Sequence, residues 1–144
     1  FRHFIMKAEN LLKKKKKDLY KLAERYFHKY IVLRDKRRGK HCITCNNPIE
    51  QAGHFNHGGN NKYAFWCDFD ERNLNGQCVQ CNHFKSGNLN VYAEELIEIY
   101  GPEIISELNS LTWKADPWGN EDLVEIIEKY KKKIKELKGL KDSN

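Results

Sequence analysis

The sequence predicts an α+β protein in which a small zinc-held core is flanked by helices at both ends. Three observations carry that expectation. Four of the five cysteines fall in two C-x-x-C pairs, Cys42 with Cys45 and Cys78 with Cys81. Helical apolar periodicity occupies both ends of the chain and disappears between them, where Gly, Asn and Pro become frequent, as in short strands joined by irregular loops. With 40% apolar and 32% charged residues in 144, burial alone offers a thin core, and a bound metal is the expected supplement.

From Met6 to about Arg34, apolar side chains recur at Leu12, Leu19, Leu22, Tyr26, Tyr30 and Leu33 with no Gly or Pro between them, which predicts one long amphipathic helix. The basic turn from Asp35 to Lys40 delivers the chain to Cys42. Helix returns from Val91 to Tyr100, and Gly101-Pro102 stops it, with Gly at the boundary and Pro opening the next helix, Glu103 to Leu111. A Trp-rich linker, Trp113 to Gly119, precedes a last helix from about Glu121 to Lys138. Its stripe of Leu123, Ile127, Tyr130, Ile134 and Leu137 is a heptad seam, ready to pack on its own domain or on a second copy in a homodimer. The expected division is a basic helical arm (1–40), a zinc-stabilised core with its following helices (41–112), and a linker with the C-terminal amphipathic helix (113–144).

Charge is distributed unevenly. Between Lys7 and Lys40 there are 14 Lys and Arg against 4 Asp and Glu, whereas from Asn90 to Asn144 there are 8 Lys against 12 acids. A basic arm of this kind suits nucleic acid, and Lys13, Lys14, Lys16, Lys17, Arg34, Arg37, Arg38, Lys40 and, in the core, Lys85 are the candidate DNA contacts. The alternative for the lysine run is a solvated helix face. No stretch approaches the roughly 20 apolar residues of a membrane span, and no apolar export segment follows the first charges. The expectation is a soluble, cytoplasmic protein with no membrane partner.

The two-residue spacers let Cys42, Cys45, Cys78 and Cys81 converge on one tetrahedral ion at about 2.3 Å, and a closed four-thiolate shell makes that zinc structural. Cys67, between Trp66 and Phe69, reads as a small buried hydrophobe. Around the cysteine pairs lie Gln51-Ala52-Gly53-His54-Phe55, then Phe69-Asp70-Glu71-Arg72-Asn73-Leu74, then Asn82-His83-Phe84-Lys85-Ser86-Gly87-Asn88. An imidazole that accepts a proton near neutral pH, oxygen ligands for a hard cation and cationic phosphate donors are the parts of a phosphodiesterase.

The order C-x-x-C, Gly-His, Asn-Leu, then C-x-x-C followed at once by Asn resembles the HNH nucleases, whose ββα-metal site sits on a treble-clef zinc scaffold. Cys81-Asn82 looks like the Cys-Asn of phage endonuclease VII. Closer still, Ile31 to Asp35, Ala52 to Phe55, Phe69 to Asn73, Gln77-Cys78 and Cys81-Asn82 with Lys85 to Asn88 resemble the lambdoid phage NinG (Rap) recombination endonucleases, over roughly Phe27 to Leu108. The resemblance implies a treble-clef fold and cleavage of branched DNA such as Holliday junctions and D-loops, in the bacterial host cytoplasm. It also implies His54 as general base, Asn73 as the asparagine bracing the loop behind it, and Asn82 as a ligand of a catalytic Mg²⁺ or Mn²⁺.

One departure matters. Many HNH enzymes carry a metal-binding Asp just before the base, and here that position is Gly53. Asp70 and Glu71 are the candidate substitutes if their segment folds back beside His54; the alternative is an ion pair with Arg72 or Lys85. His57 is a candidate support or phosphate contact, although Gly58-Gly59-Asn60-Asn61 after it suggests a mobile loop, and His83 is expected to pack or to touch DNA. Two other functions stay open: a non-catalytic zinc module that binds nucleic acid, and a general HNH nuclease acting on duplex DNA.

Overall fold

The computed structural model describes residues 2–57, 66–111 and 118–139, with side chains from residue 7 onward and excluding that of residue 66. The described elements are the helices α1 (Arg2–Leu12), α2 (Lys16–Arg37), α3 (Leu89–Tyr100), α4 (Ile104–Ser110) and α5 (Asn120–Leu137) and a two-stranded antiparallel sheet of β1 (Gln51–His54) and β2 (Leu74–Gln77). The chain divides into two compact units, one made of residues 1–30 and 118–144 and the other of residues 31–117.

The first unit is a helical assembly. The single long N-terminal helix expected from the periodicity is two helices, broken at the lysine run. Five consecutive ammonium groups repel one another across neighbouring helical positions, and the apolar stripe lapses between Leu12 and Leu19. After the break Asp18 sits in the first turn of α2, and Arg34, Lys36 and Arg37 sit in its last, matching the helix dipole at both ends. Leu19, Ala23, Phe27 and Tyr30 of α2 are buried, as are Leu123, Val124, Ile127, Tyr130 and Ile134 of α5. Tyr130 joins the faces, with ring centroids 4.7 Å from Phe27 and 5.0 Å from Tyr30. Lys133 lies over the rings of Tyr30 and Tyr130, and Lys131 over that of Tyr26. The heptad seam thus packs on its own chain. At the start of α5 the Asp122 carboxylate accepts a hydrogen bond from the Gly119 N–H at 2.8 Å.

The second unit begins inside α2. The expected boundary at residue 40 moves to 31 because Ile31, Arg34 and Asp35 are buried. Arg34, an expected DNA contact, is turned inward: only 4% of its side chain is exposed. Its guanidinium pairs with Asp35 at 2.8 Å and donates to the carbonyls of Glu71 and Leu74, each at 3.1 Å. A guanidinium buried to this extent and paired with a carboxylate and two carbonyls is not presented to a phosphate. Asp35 in turn accepts from the Gly76 N–H at 2.7 Å. The Ile43 N–H donates to the Gly76 carbonyl at 3.0 Å. The edge of β2 not paired with β1 is covered by these bonds.

The remaining elements follow the periodicities closely. Gly101 ends α3 with φ 98°, a left-handed conformation that glycine adopts without strain, and its N–H bonds back to the Ile97 carbonyl. Tyr92, Leu96, Ile104 and Leu108 form a small apolar core with Cys67, and Phe55 packs against it. The expected linker lies outside the described residues for 112–117. Among the described residues no helix is long and apolar enough to cross a membrane.

Candidate functional site

The sulfurs of Cys42, Cys45, Cys78 and Cys81 all lie within 4.8 Å of one another, so these four residues are placed to hold one metal ion. The first pair turns on Asn46 at φ 66°, which lets the Asn46 N–H reach the Cys42 carbonyl and the Cys42 N–H reach that of Asn47. The second pair opens a short π-helical turn, Gln80–Phe84, with the Cys81 N–H directed at the Cys78 sulfur. Burial raises the Cys42 thiol, but hydrogen bonds with Thr44 and Cys78 outweigh it and bring its pKa down to about 6. Cys45 is pushed up to about 12, by desolvation first and then by the facing sulfurs of Cys78, Cys81 and Cys42. Four adjacent thiolates need a cation among them, and such a donor set fits structural zinc. Cys67 stands apart, fully buried, its pKa pushed up to about 12 by burial and by the charges of Asp68 and Asp70.

His54 is the last residue of β1, paired in register with Leu74. Hydrogen bonds of two side chains fix the backbone around it. The Tyr92 hydroxyl, completely buried in α3, donates to the Gly53 carbonyl at 2.7 Å while accepting from the Asn75 amide at 3.2 Å. Burial raises the pKa of this phenol, so it remains a hydrogen-bond donor. Asn73, also completely buried, accepts from the Asn56 N–H at 2.9 Å and donates to the carbonyls of Asn56 at 2.8 Å and Cys67 at 3.0 Å. On the far side, a Cβ on Gly87 would stand 3.9 Å from the His54 carbonyl oxygen. Asn73 was legible as a brace in the sequence through the resemblance to the HNH nucleases. Tyr92 was not, because its helical spacing made it look like one more apolar core position.

Asn82, in the π-helical turn, faces Gly53 from the side. A Cβ added to Gly53 would come within 2.9 Å of Asn82 Oδ1 and would collide with the Gln77 amide, Gln77 being the diagonal cross-strand neighbour of Gly53 on β2. An Asp at position 53 would require the Gln77 and Asn82 side chains to move. Asn82 donates through Nδ2 to Gln51 Oε1. His83 and Phe84 project outward with their rings edge to face at 4.9 Å, and Phe84 is 69% exposed.

Asp70 and Glu71 are held by arginines. Arg72 grips both oxygens of Asp70 at 3.0 and 2.8 Å and reaches Glu107 at 2.7 Å, while Glu71 lies 3.7 Å from Arg34. These ion pairs do not involve Lys85, which is exposed at the end of the π-helical turn. Among the described residues, the four cysteines are the only group of three or more His, Cys, Asp or Glu arranged to hold a metal. Lys13, Lys14, Lys16, Lys17, Arg37, Arg38 and Lys40 are exposed, and so is His57. The glycine and asparagine loop after His57 lies outside the described residues.

Fold and site together define an α+β protein with a four-cysteine metal knuckle packed beside a histidine-bearing hairpin. The chain belongs to the NinG family: the family model described as Bacteriophage Lambda NinG protein matches residues 3–140. Protein ninG of Escherichia phage 933W is 36% identical over 106 residues, and those of Salmonella phage P22 and Escherichia phage lambda are 35% and 34% identical over the same length. Each match covers 74% of this chain and 52% of the relative, so the chain spans about half the length of these proteins. No solved structure matches it.

Proposed function

We propose that this chain is a metal-dependent endonuclease of the HNH type on a treble-clef zinc scaffold, cutting branched DNA with His54 as general base. One observation carries the reading. The Gly53-His54 end of β1 is fixed by Tyr92 and by the Asn73 brace behind it, while the oxygen of Asn82 lies close to Gly53. A module that only bound nucleic acid would need the thiolates and the cationic surface, not a histidine-bearing strand end whose backbone is held this firmly.

In this reading the His54 imidazole, of a type whose unperturbed pKa is about 6.5, takes a proton from the attacking water at cellular pH. Asn73 keeps the following loop, and with it the imidazole, in one position. Asn82 Oδ1 would hold the Mg²⁺ or Mn²⁺, hard cations suited to amide oxygen. Bound there, such a cation supplies charge stabilisation for the phosphate and the departing oxygen. Lys85, three residues after Asn82, contacts phosphate as a point charge. Exposed Arg37, Arg38, Lys40 and the lysine run add sequence-independent affinity for the backbone. The exposed ring of Phe84 favours a branched substrate, because an aromatic face stacks on the base-pair faces that a branch point opens. A homodimer would supply one such site for each of two strands.

The test is cleavage of an end-labelled four-way junction and of a matching linear duplex by the zinc-loaded protein, with and without added magnesium. The expected result is magnesium-dependent cutting of the junction in preference to the duplex. Tight binding without cutting would support the non-catalytic module, and equal cutting of both substrates a general nuclease.

A further inference from the structure

We propose that Gln77 is a metal ligand, its Oε1 forming with Asn82 Oδ1 a two-oxygen seat for a divalent cation beside Gly53, where the absence of a side chain lets both oxygens approach. The proposal rests on the nuclease reading for the role of Asn82 and adds a residue to it.

Gln77 is completely buried. Its Nε2 donates to Thr44 Oγ1 and to the Gly87 carbonyl, both at 3.0 Å. Both hydrogens are therefore committed, and reversing the amide would set its oxygen against the Gly87 carbonyl. The orientation is fixed, with Oε1 aimed at Gly53. That oxygen is buried and has no hydrogen-bond partner. Burying a carbonyl without a partner is unfavourable, so a native fold that keeps one calls for an explanation.

The second oxygen supplies it. Asn82 Oδ1 lies 2.9 Å from the point where a Gly53 Cβ would stand, and the Gln77 amide overlaps that same point. The Asn82 Nδ2 is engaged by Gln51. Two carbonyl oxygens thus approach the same point beside the Gly53 backbone, each with its amide nitrogen turned elsewhere. A positive partner is what such a pair is arranged to receive, and amide oxygens select hard cations such as Mg²⁺ and Mn²⁺. The loop from Lys85 to Asn88 sets the arrangement: Ser86, Gly87 and Asn88 take consecutive left-handed conformations at φ 50°, 92° and 52°, which bring the Gly87 carbonyl to Gln77. Strained backbone of this kind is retained where surrounding contacts over-determine it, as they do in a site.

The chemistry of the seat has a consequence. Both ligands are neutral, so the cation keeps its full charge for the substrate, and affinity in the absence of DNA is low. Phosphate would supply the missing negative ligand, so the cation binds tightly only in the protein–DNA complex.

The test is Mn²⁺ binding to the zinc-loaded full chain, followed by electron paramagnetic resonance of free Mn²⁺ and by ¹⁵N–¹H spectra. In the wild type, Mn²⁺ should broaden the side-chain amide signals of Gln77 and Asn82 before any other, and a DNA duplex should tighten binding. Gln77→Glu puts a charge on the proposed ligand and should tighten Mn²⁺ binding at least about tenfold, as should Asn82→Asp. Unchanged zinc content shows that each variant is folded. If Asn82→Asp tightens binding but Gln77→Glu does not, or if the Gln77 amide signal survives while that of Asn82 broadens, Gln77 is a structural residue satisfied by water, and the nuclease reading stands without it. If neither amide senses Mn²⁺, both fail. Should Gln77→Glu lose its zinc, the broadening in the wild type decides alone.

Discussion

The two units of this chain are held together by different physics. In the helical unit the stabilising surface is apolar and aromatic: Leu19, Phe27, Leu123 and Ile127 are completely buried, and Tyr130 is nearly so. In the knuckle unit the most buried residues include Arg34, Asp35, Asn73, Asn75 and Gln77, tied by hydrogen bonds across the hairpin. Apolar packing tolerates exchange among side chains of similar volume, whereas a buried polar network fails when one member is lost. The unit that carries the cysteine knuckle and the His54 hairpin is the one built in the less forgiving way.

Removing the metal should separate the units most sharply. Thiolate–zinc binding contributes on the order of 10 kcal/mol to folding in small zinc modules. Stripping it with a thiol-compatible chelator, or the substitution Cys78→Ser, should therefore abolish amide protection through β1, β2 and α3 while α5 remains protected in hydrogen-exchange measurements. Loss of protection in both units together would show that the helical unit has no stability of its own.

Within each unit, one substitution probes the dominant force. Arg34→Ala leaves Asp35 buried without its partner and should cost about 3–5 kcal/mol in chemical denaturation. Phe27→Ala removes a ring that packs on Tyr130 and should cost a similar amount, about 3–5 kcal/mol. The contrast lies in rescue: Phe27→Leu should recover most of the loss, and Arg34→Lys little of it, because an ammonium cannot reproduce the forked contacts to Asp35, Glu71 and Leu74. A smaller effect is expected from Tyr92→Phe, which deletes only the hydroxyl on Gly53. It should destabilise the fold by about 1 kcal/mol and lower cleavage by more than that change in stability accounts for.

The smallest effect concerns His28, in the helical unit. Burial lowers its pKa from the ordinary value, so below about pH 6.5 the unfolded chain binds a proton that the folded chain resists. The contribution to stability is full above that pH and declines as pH falls toward the folded pKa. Thermal melts should show a steeper acid decline in the wild type than in His28→Gln.

How the sequence read depended on what each side chain answers to. The cysteine pairs and the stop at Gly101 were legible because spacing or backbone geometry alone defines their task, whereas Asn73 stood out only through the resemblance to the HNH nucleases. The break between α1 and α2 was hidden, since the apolar period on either side of the lysines continues nearly in phase. Arg34 was misread for a different reason: its neighbours in sequence are basic and exposed, and only the fold brings Asp35 and β2 around it. Gly53 was visible as a departure, but its explanation lay on another strand. Gln77 fills the space from a diagonal position, and no local pattern connects residues 53 and 77.

The most direct test of the central claim is single-turnover cleavage of a four-way junction by His54→Ala beside the wild type, with zinc content measured in both. The account predicts magnesium-dependent cutting by the wild type and its loss in the variant, with zinc and junction binding retained. Undiminished cutting by a zinc-loaded His54→Ala protein would contradict it.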